Sequence, residues 1–378
     1  MRNPFEYGGV VSGDAFCNRL QELADLRRAM ENAEKLFVFS ERRYGKTSLV
    51  RATLDKLPRR NFVSAYVDLW PTDSETTFVA AVARAITESM SSSVEKALET
   101  AKKFFGGLSP SITVDEEGKP SLSFGLAKPA RIEPILEEVL ETPARIAAKD
   151  GPRVAVVIDE FQQILEYGSD RVERKLRSVI QKHRRVSYIF LGSRKHLIQK
   201  MVLDKNRPLY RAGGHYPLGP IKEKHWQPFI QQHFSDAEKR IDEEQIHQIC
   251  DMTQGHPFYT QHLCHALWEL CEPKSAVTPE LIRAAVKLLL DREAYAYTTL
   301  WESLTLPQKR FLKGLASEAA GVKVFAGEFV SRYGLSSASN AQRAVESLLA
   351  KDVIDRDNGS FLITDRFFRL WIQSAQRG

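Results

Sequence analysis

The sequence predicts an α/β core built on a parallel sheet, followed by a helical region and a C-terminal unit of short helices with a hairpin. Three stretches predict it. Leu36-Phe37-Val38-Phe39 runs into Ser40-Glu41-Arg42-Arg43-Tyr44-Gly45-Lys46-Thr47 and then into the amphipathic Ser48-Leu49-Val50, which reads as strand, tight loop and helix start. Residues 154–158, Val-Ala-Val-Val-Ile, are consecutive apolar positions ending at Asp159-Glu160, as in a buried parallel strand that delivers carboxylates at its C-terminal end. Beyond residue 305 three short helical patterns precede two alternating runs around Asp357-Asn358-Gly359-Ser360, and Asn-Gly is a strong hairpin turn.

The first stretch has the order of a phosphate-binding loop. Backbone N–H groups of the loop and the positive end of the following helix surround phosphate oxygens. Lys46 supplies a point charge to those oxygens and Thr47 a hydroxyl for Mg²⁺. Ser40, Arg43, Tyr44, Gly45 and Ser48 complete the expected cradle. The pattern G-x-x-x-x-G-K-[ST] has glycine where this chain has Ser40. A serine there costs on the order of 1 kcal/mol if its φ is positive and little if its φ is negative.

Taken in order, residues 3–30 form a lead-in whose helix carries Leu20, Leu23, Leu26 and Met30 on one stripe; Tyr7 and Phe16 are candidates to lie beside a base. A second strand is expected at 62–69 after the basic loop Pro58-Arg59-Arg60, and a helix at 76–90. Ser111 to Val114 and Ser121 to Phe124 flank the turn-rich 115–120 and predict a hairpin inserted near 108–126. A helix over 134–149 leads to the second stretch. There Asp159 is expected to hold Mg²⁺ and Glu160 to orient or deprotonate water. A basic helix from Val172 and a buried strand from Tyr188 follow, the strand ending at Gly192-Ser193-Arg194. Ser193 is placed to sense a γ-phosphate, with Arg194 a weaker candidate. A short last strand is expected at 216–218. Helices are then expected at 223–233, 243–253, 257–271 and 278–294, the third opening on Gly255-His256-Pro257. His256, His262, Cys264, His265 and Cys271 match no standard zinc spacing. Helices at 307–317, 325–333 and 337–350 with the hairpin make a winged helix-turn-helix. Its helix at 337–350 offers Asn340, Gln342 and Arg343 but also Glu346, which is little cation for reading DNA. The expected domains are a core at 1–221, a helical lid at 222–298 and the winged helix at 299–378.

At 378 residues, 43% hydrophobic and 27% charged, the chain is long enough for two or three domains with real cores. No run of 18 apolar residues exists, the N-terminus lacks the apolar core of a signal peptide, and four cysteines suit a reducing compartment; together these predict a cytoplasmic protein. The net charge is +6, but residues 171–211 hold 13 lysines and arginines against two acids. That local excess of +11 is expected beside the nucleotide edge of the sheet, where it suits phosphate, nucleic acid or an acidic partner.

These motifs together resemble the prokaryotic P-loop ATPases of the STAND branch, which are related to AAA+ and origin-recognition ATPases. The likeness spans essentially the whole chain. It rests on Asn3-Pro4-Phe5, the Phe16-x-Asn18-Arg19-x-x-Glu22-Leu23 lead-in and the loop from Arg42 to Ser48, with Ile158-Asp159-Glu160-Phe161-Gln162, Leu191-Gly192-Ser193 and Gly255-x-Pro257 further on. The resemblance implies an ASCE/AAA+-like core that binds ATP or ADP with Mg²⁺, GTP being the lesser alternative, and Gly255 and Pro257 approaching the base from the lid. The family pattern Pro-Leu-Tyr-Gly-Arg implies an arginine finger; here Arg211 follows Tyr210 directly, and Arg207 competes for the role. The first expectation is therefore an ATP-driven switch with slow or partner-stimulated hydrolysis. The alternatives are an ATP-regulated DNA-binding protein, acting through the winged helix or residues 171–211, and a scaffold that holds nucleotide without turnover. A protein partner or a nucleotide-dependent homo-oligomer is compatible with each.

Overall fold

The computed structural model describes residues 2–58, 60–114, 118–126, 131–148, 151–319, 321–357 and 359–376. Arg59 of the basic loop, residues 115–117 of the inserted turn, Lys149 at the end of the expected helix and Asn358 of the hairpin turn lie outside the described residues. The chain separates into two compact units: Leu20–Ser40 with Lys46–Leu218, and residues 1–19 with Glu41–Gly45 and Gly219–Gly378.

The first unit is a parallel α/β layer structure. In chain order it contains α1 (Leu20–Glu31), β1 (Lys35–Phe39), α2 (Lys46–Asp55), β2 (Phe62–Asp68), α3 (Glu75–Ser89), α4 (Val94–Phe104), the hairpin β3 (Leu108–Val114) and β4 (Pro120–Leu126), α5 (Ile132–Ile146), β5 (Arg153–Asp159), α6 (Arg171–Ile180), β6 (Val186–Gly192), α7 (Lys195–Leu203) and β7 (Gly214–Pro217). The sheet order is β2-β5-β6-β1-β7 and every pairing is parallel. β6 is buried at all its positions and β5 at all but its first, which explains why both read as unbroken apolar runs. Phe37 of β1 stacks on Phe190 of β6 with centroids 4.7 Å apart, and Phe161 tilts against Phe190 at 4.5 Å. The inserted hairpin packs Leu108, Leu122 and Phe124 into the same core, where Phe124 meets Phe105 edge-on at 5.9 Å.

Because all five strands run one way, Ser40, Asp68, Asp159, Glu160 and Ser193 emerge at a single edge of the sheet. The connections ending in Arg185 and Gly213 feed strand starts, at the opposite edge. This corrects the expected placement of the basic segment. Lys182, Arg184, Arg185 and Arg211 sit away from the strand-end edge. Several of the others are paired: Arg171 with Glu75 (2.7 Å), Arg174 with Asp170 (2.6 Å), Lys175 with Glu137 (2.8 Å) and Arg207 with Glu173. Part of the excess counted along the sequence is offset by acids from α3, α5 and the turn before α6.

The second unit is helical. It contains α8 (Glu223–Ser235), α9 (Glu243–Thr253), α10 (Pro257–Leu270), α11 (Pro279–Glu302), α12 (Leu306–Ser317), α13 (Gly327–Arg332), α14 (Ala338–Ala350), the hairpin β8 (Ile354–Asp357) and β9 (Ser360–Ile363), and α15 (Arg366–Ser374). One hydrophobic core runs through it, from Phe5, Trp226, Ile230 and Phe234 to Phe311, Leu348, Phe367 and Phe368. α11 extends eight residues beyond its expected end and passes residue 298 without a break.

Among the described residues, the α-helices without a counterpart in the sequence reading are α4, α7 and α15. α4 buries only Ala97 and Ala101, so its apolar stripe is faint. The first turn of α15 holds Phe367-Phe368, which continues the look of the preceding strand. Asp365 ends the strand by accepting hydrogen bonds from the N–H groups of Phe367 and Phe368, both at 2.9 Å.

Candidate active site

The loop after β1 begins at Ser40, whose N–H donates to the Gly192 carbonyl at 3.3 Å and which is 2% exposed. Its φ is not positive, so serine replaces glycine there without backbone strain. The left-handed positions of the loop are Arg43 (φ 59) and Gly45 (φ 78). Ser40 also contributes what a glycine cannot: its hydroxyl accepts a hydrogen bond from the Lys46 ammonium at 2.9 Å. α2 starts at Lys46, so the N–H groups of its first turn open toward the loop. Lys46 and Ser48 are both buried, at 5% and 6% exposure.

Across the strand-end edge, Thr47 donates its hydroxyl to Asp159 Oδ2 at 2.9 Å. Tyr66, at the end of β2, donates its own hydroxyl to the same oxygen. The Glu160 N–H donates to Asp159 Oδ1 at 2.8 Å. A buried carboxylate needs such donors, and Asp159 has them on both oxygens. Burial, the Asp159 charge and the hydrogen bond to Asp159 together push the Tyr66 phenol well above its ordinary range, so it stays a donor.

Glu160 holds a left-handed backbone (φ 50, ψ 42) that turns its side chain out of the line of β5. Its Oε2 accepts a hydrogen bond from Ser193 Oγ at 2.6 Å and another from Gln162 Nε2. Gln162 also reaches Ser193 Oγ at 3.4 Å. The sequence reading gave Gln162 no chemical role, although it follows the carboxylate pair by two residues. Tyr66 was read only as part of a strand.

Residues 41–45 of the loop belong by their contacts to the helical unit. Glu41, 8% exposed, pairs with Arg366 of α15 at 2.9 Å and accepts a hydrogen bond from the Tyr44 hydroxyl at 3.1 Å. Arg42 pairs with Asp352 at 2.8 Å. The His256 ring lies edge-on to Tyr44 at 4.4 Å and its Nε2 is 3.2 Å from the Arg42 carbonyl. The Arg43 guanidinium lies 4.4 Å from the centre of the Phe258 ring. Of Gly255-His256-Pro257, the middle residue His256 touches the loop. Gly255 (φ 64) makes the turn, its carbonyl accepting from the Ile221 N–H at 3.1 Å, and Pro257 starts α10. Tyr7, a candidate for the base, stacks on His262 at 3.9 Å.

The structure thus brings Ser40 to Lys46, Thr47 to Asp159, and Glu160 to Ser193. It does not bring the arginines. Arg211 is exposed in the connection before β7, at the strand-start edge, with its guanidinium 5.2 Å from the Tyr210 ring. Arg207 is held by the buried Glu173 of α6. Arg211, expected as a catalytic arginine, thus lies apart from Lys46, Thr47, Asp159, Glu160 and Ser193 in this unit.

Residues 16–263 match a family model described as an ATPase domain predominantly from Archaea, and residues 295–374 match one described as a probable winged helix domain. Among solved structures, the Walker-type ATPase of Pyrococcus abyssi aligns over 98% of this chain and 99% of its own at 14% identity, with a TM-score of 0.64. The Aeropyrum pernix ORC2 protein, in its ADPNP–ADP complexes, aligns over 100% and 99% at 14% identity, with a TM-score of 0.53. At these identities the likeness shows the fold: a P-loop ATPase core with a C-terminal winged helix. No protein with a curated description matches the chain.

Proposed function

The chain belongs to the family of ATPase domains found predominantly in Archaea, and from that premise we propose that it is a STAND-type switch whose nucleotide state repositions the helical region and the winged helix. The divisions proposed with it are a core over 1–221, a lid over 222–298 and a winged helix over 299–378. Lys46 and the N–H groups of the loop through Ser48 hold the phosphates of ATP. Thr47 and Asp159 are hard oxygen donors joined at 2.9 Å, a donor set that suits Mg²⁺. Bound there, the ion would neutralise phosphate charge. Glu160 takes the proton of the attacking water, and Ser193, now donating to Glu160, turns to the γ-phosphate. Arg211 serves the site of a second copy if the chain assembles.

One observation carries the switch reading: the middle of the phosphate loop is ion-paired to the winged helix through Glu41–Arg366 and Arg42–Asp352. A loop that closes on phosphates cannot keep every one of these contacts, so nucleotide and winged helix compete for it. Hydrogen exchange of the full chain tests this. Exchange across 352–372 should rise when Mg·ATP is added and fall back with ADP. Arg366→Met should raise it without nucleotide. Equal exchange in all three states would remove the switch. Glu160→Gln should bind ATP normally and release no phosphate; unchanged turnover would reassign the base. The DNA-regulated reading has less behind it, because Arg171, Arg174, Lys175 and Arg207 of the basic segment are ion-paired and α14 exposes Arg343 beside Glu346.

A further inference from the structure

We propose that Tyr66 is a positioning residue for the metal-binding carboxylate, its hydroxyl fixing Asp159 in the orientation that presents it to Mg²⁺. The proposal rests on the reading of Thr47 and Asp159 as the Mg²⁺ donors.

Strand register brings the two residues together. Asp159 sits opposite Asp68 across the β2–β5 pair, and Tyr66 opposite Val157. Tyr66 therefore starts two residues short of Asp159, about 7 Å along the strand, and only a long side chain covers that step. Its phenol ends on Asp159 Oδ2, the oxygen that also accepts from Thr47. The ring is itself held in place, with the Arg51 guanidinium of α2 4.9 Å from its centre. Asp159, 5% exposed, thus has its Oδ1 fixed by the Glu160 N–H and its Oδ2 fixed from α2 and β2 together.

A partner of this kind sets the rotamer of a ligating carboxylate before the metal arrives, and losing it weakens metal affinity by about 10–100-fold. Were the phenol a mere packing group over Arg51, its hydroxyl would be dispensable. Were it a competitor for the carboxylate, removing it would tighten metal binding.

Tyr66→Phe in the full chain separates these. A fluorescent ATP analogue is titrated onto nucleotide-free protein in EDTA, and then at fixed nucleotide against Mg²⁺. The expected result is unchanged affinity in EDTA, an unchanged melting temperature, and a Mg²⁺ midpoint raised about 10-fold or more. A wild-type midpoint, or a lower one, overturns the proposal. Asp159→Asn run alongside distinguishes the deeper failure: if it too leaves the Mg²⁺ dependence intact, the metal assignment is wrong and the proposal falls with it. Arg51→Met serves as the packing control. A shift equal to that of Tyr66→Phe would assign the effect to the ring's support rather than the hydroxyl, and would also overturn it.

Discussion

Glu160 and Ser193 meet at 2.6 Å beside Gly192, the last residue of β6, which has no side chain. A Cβ there would lie 2.2 Å from Ile198 Cγ1 and 3.0 Å from Gln162 Oε1. Gly192→Ala must therefore displace α7 or the Gln162 amide. It should destabilise the protein by about 1–3 kcal/mol in denaturant unfolding and slow phosphate release beyond what the lost stability explains. Ser193→Ala keeps the packing but removes a donor to Glu160, so it should lower kcat while leaving the Kd for ATP unchanged. A fall in affinity alone would place Ser193 in ground-state binding instead. At this scale the sequence was most informative where chemistry dictates residue type. Lys46, Thr47, Asp159 and Glu160 could be singled out by kind and spacing. Ser40 could be flagged but not weighed, since its cost depends on a φ angle that no sequence displays. Gln162, Tyr66 and Arg366 stayed hidden because their roles come from register and packing across distant segments.

The helices of the second unit carry a group whose titration can be measured. His262 of α10 is pushed down to about 4 by burial, with smaller contributions from the charges of His265, Arg292 and Arg43. Its Nδ1 is buried without a hydrogen-bond partner among the described residues, and its ring stacks on Tyr7. The folded chain keeps this imidazole neutral where the unfolded chain, titrating near 6.5, takes up a proton. The contribution to stability is therefore complete above pH 6.5 and is lost as pH falls toward 4. His262→Phe keeps the stack and should flatten the decline in melting temperature between pH 6.5 and 4.5. A variant as acid-sensitive as wild type would locate that sensitivity elsewhere. Elements with a broad apolar face, such as α8, α9 and α10, could be read from the sequence close to their ends. α4 was not, because alanines form its buried face, and α15 was not, because its aromatic start imitates a strand until Asp365 caps it. The thiols of Cys17 and Cys250, both pushed up to about 12 mainly by burial, are core groups of this unit rather than nucleophiles.

For the whole molecule, the order of the chain reads as an order of coupling. A parallel sheet gathers the carboxylates and the lysine at one edge, and the winged helix holds the middle of the phosphate loop through Arg366 and Asp352. Neither ion pair could be anticipated from composition, since their partners are separated by more than 300 residues. The basic excess of residues 171–211, by contrast, was plain in the sequence, but not the partners that the fold gives to Arg171, Arg174 and Lys175 from Glu75, Asp170 and Glu137. No described helix is long and apolar enough to cross a membrane. The account stands or falls on nucleotide binding at Lys46. The most direct measurement is calorimetric titration of nucleotide-free protein with Mg·ATP and Mg·ADP, beside Lys46→Ala. Saturable binding of both nucleotides, lost in the variant, is the result expected. Heats of dilution alone from wild-type protein, confirmed folded and free of co-purified nucleotide, would contradict it.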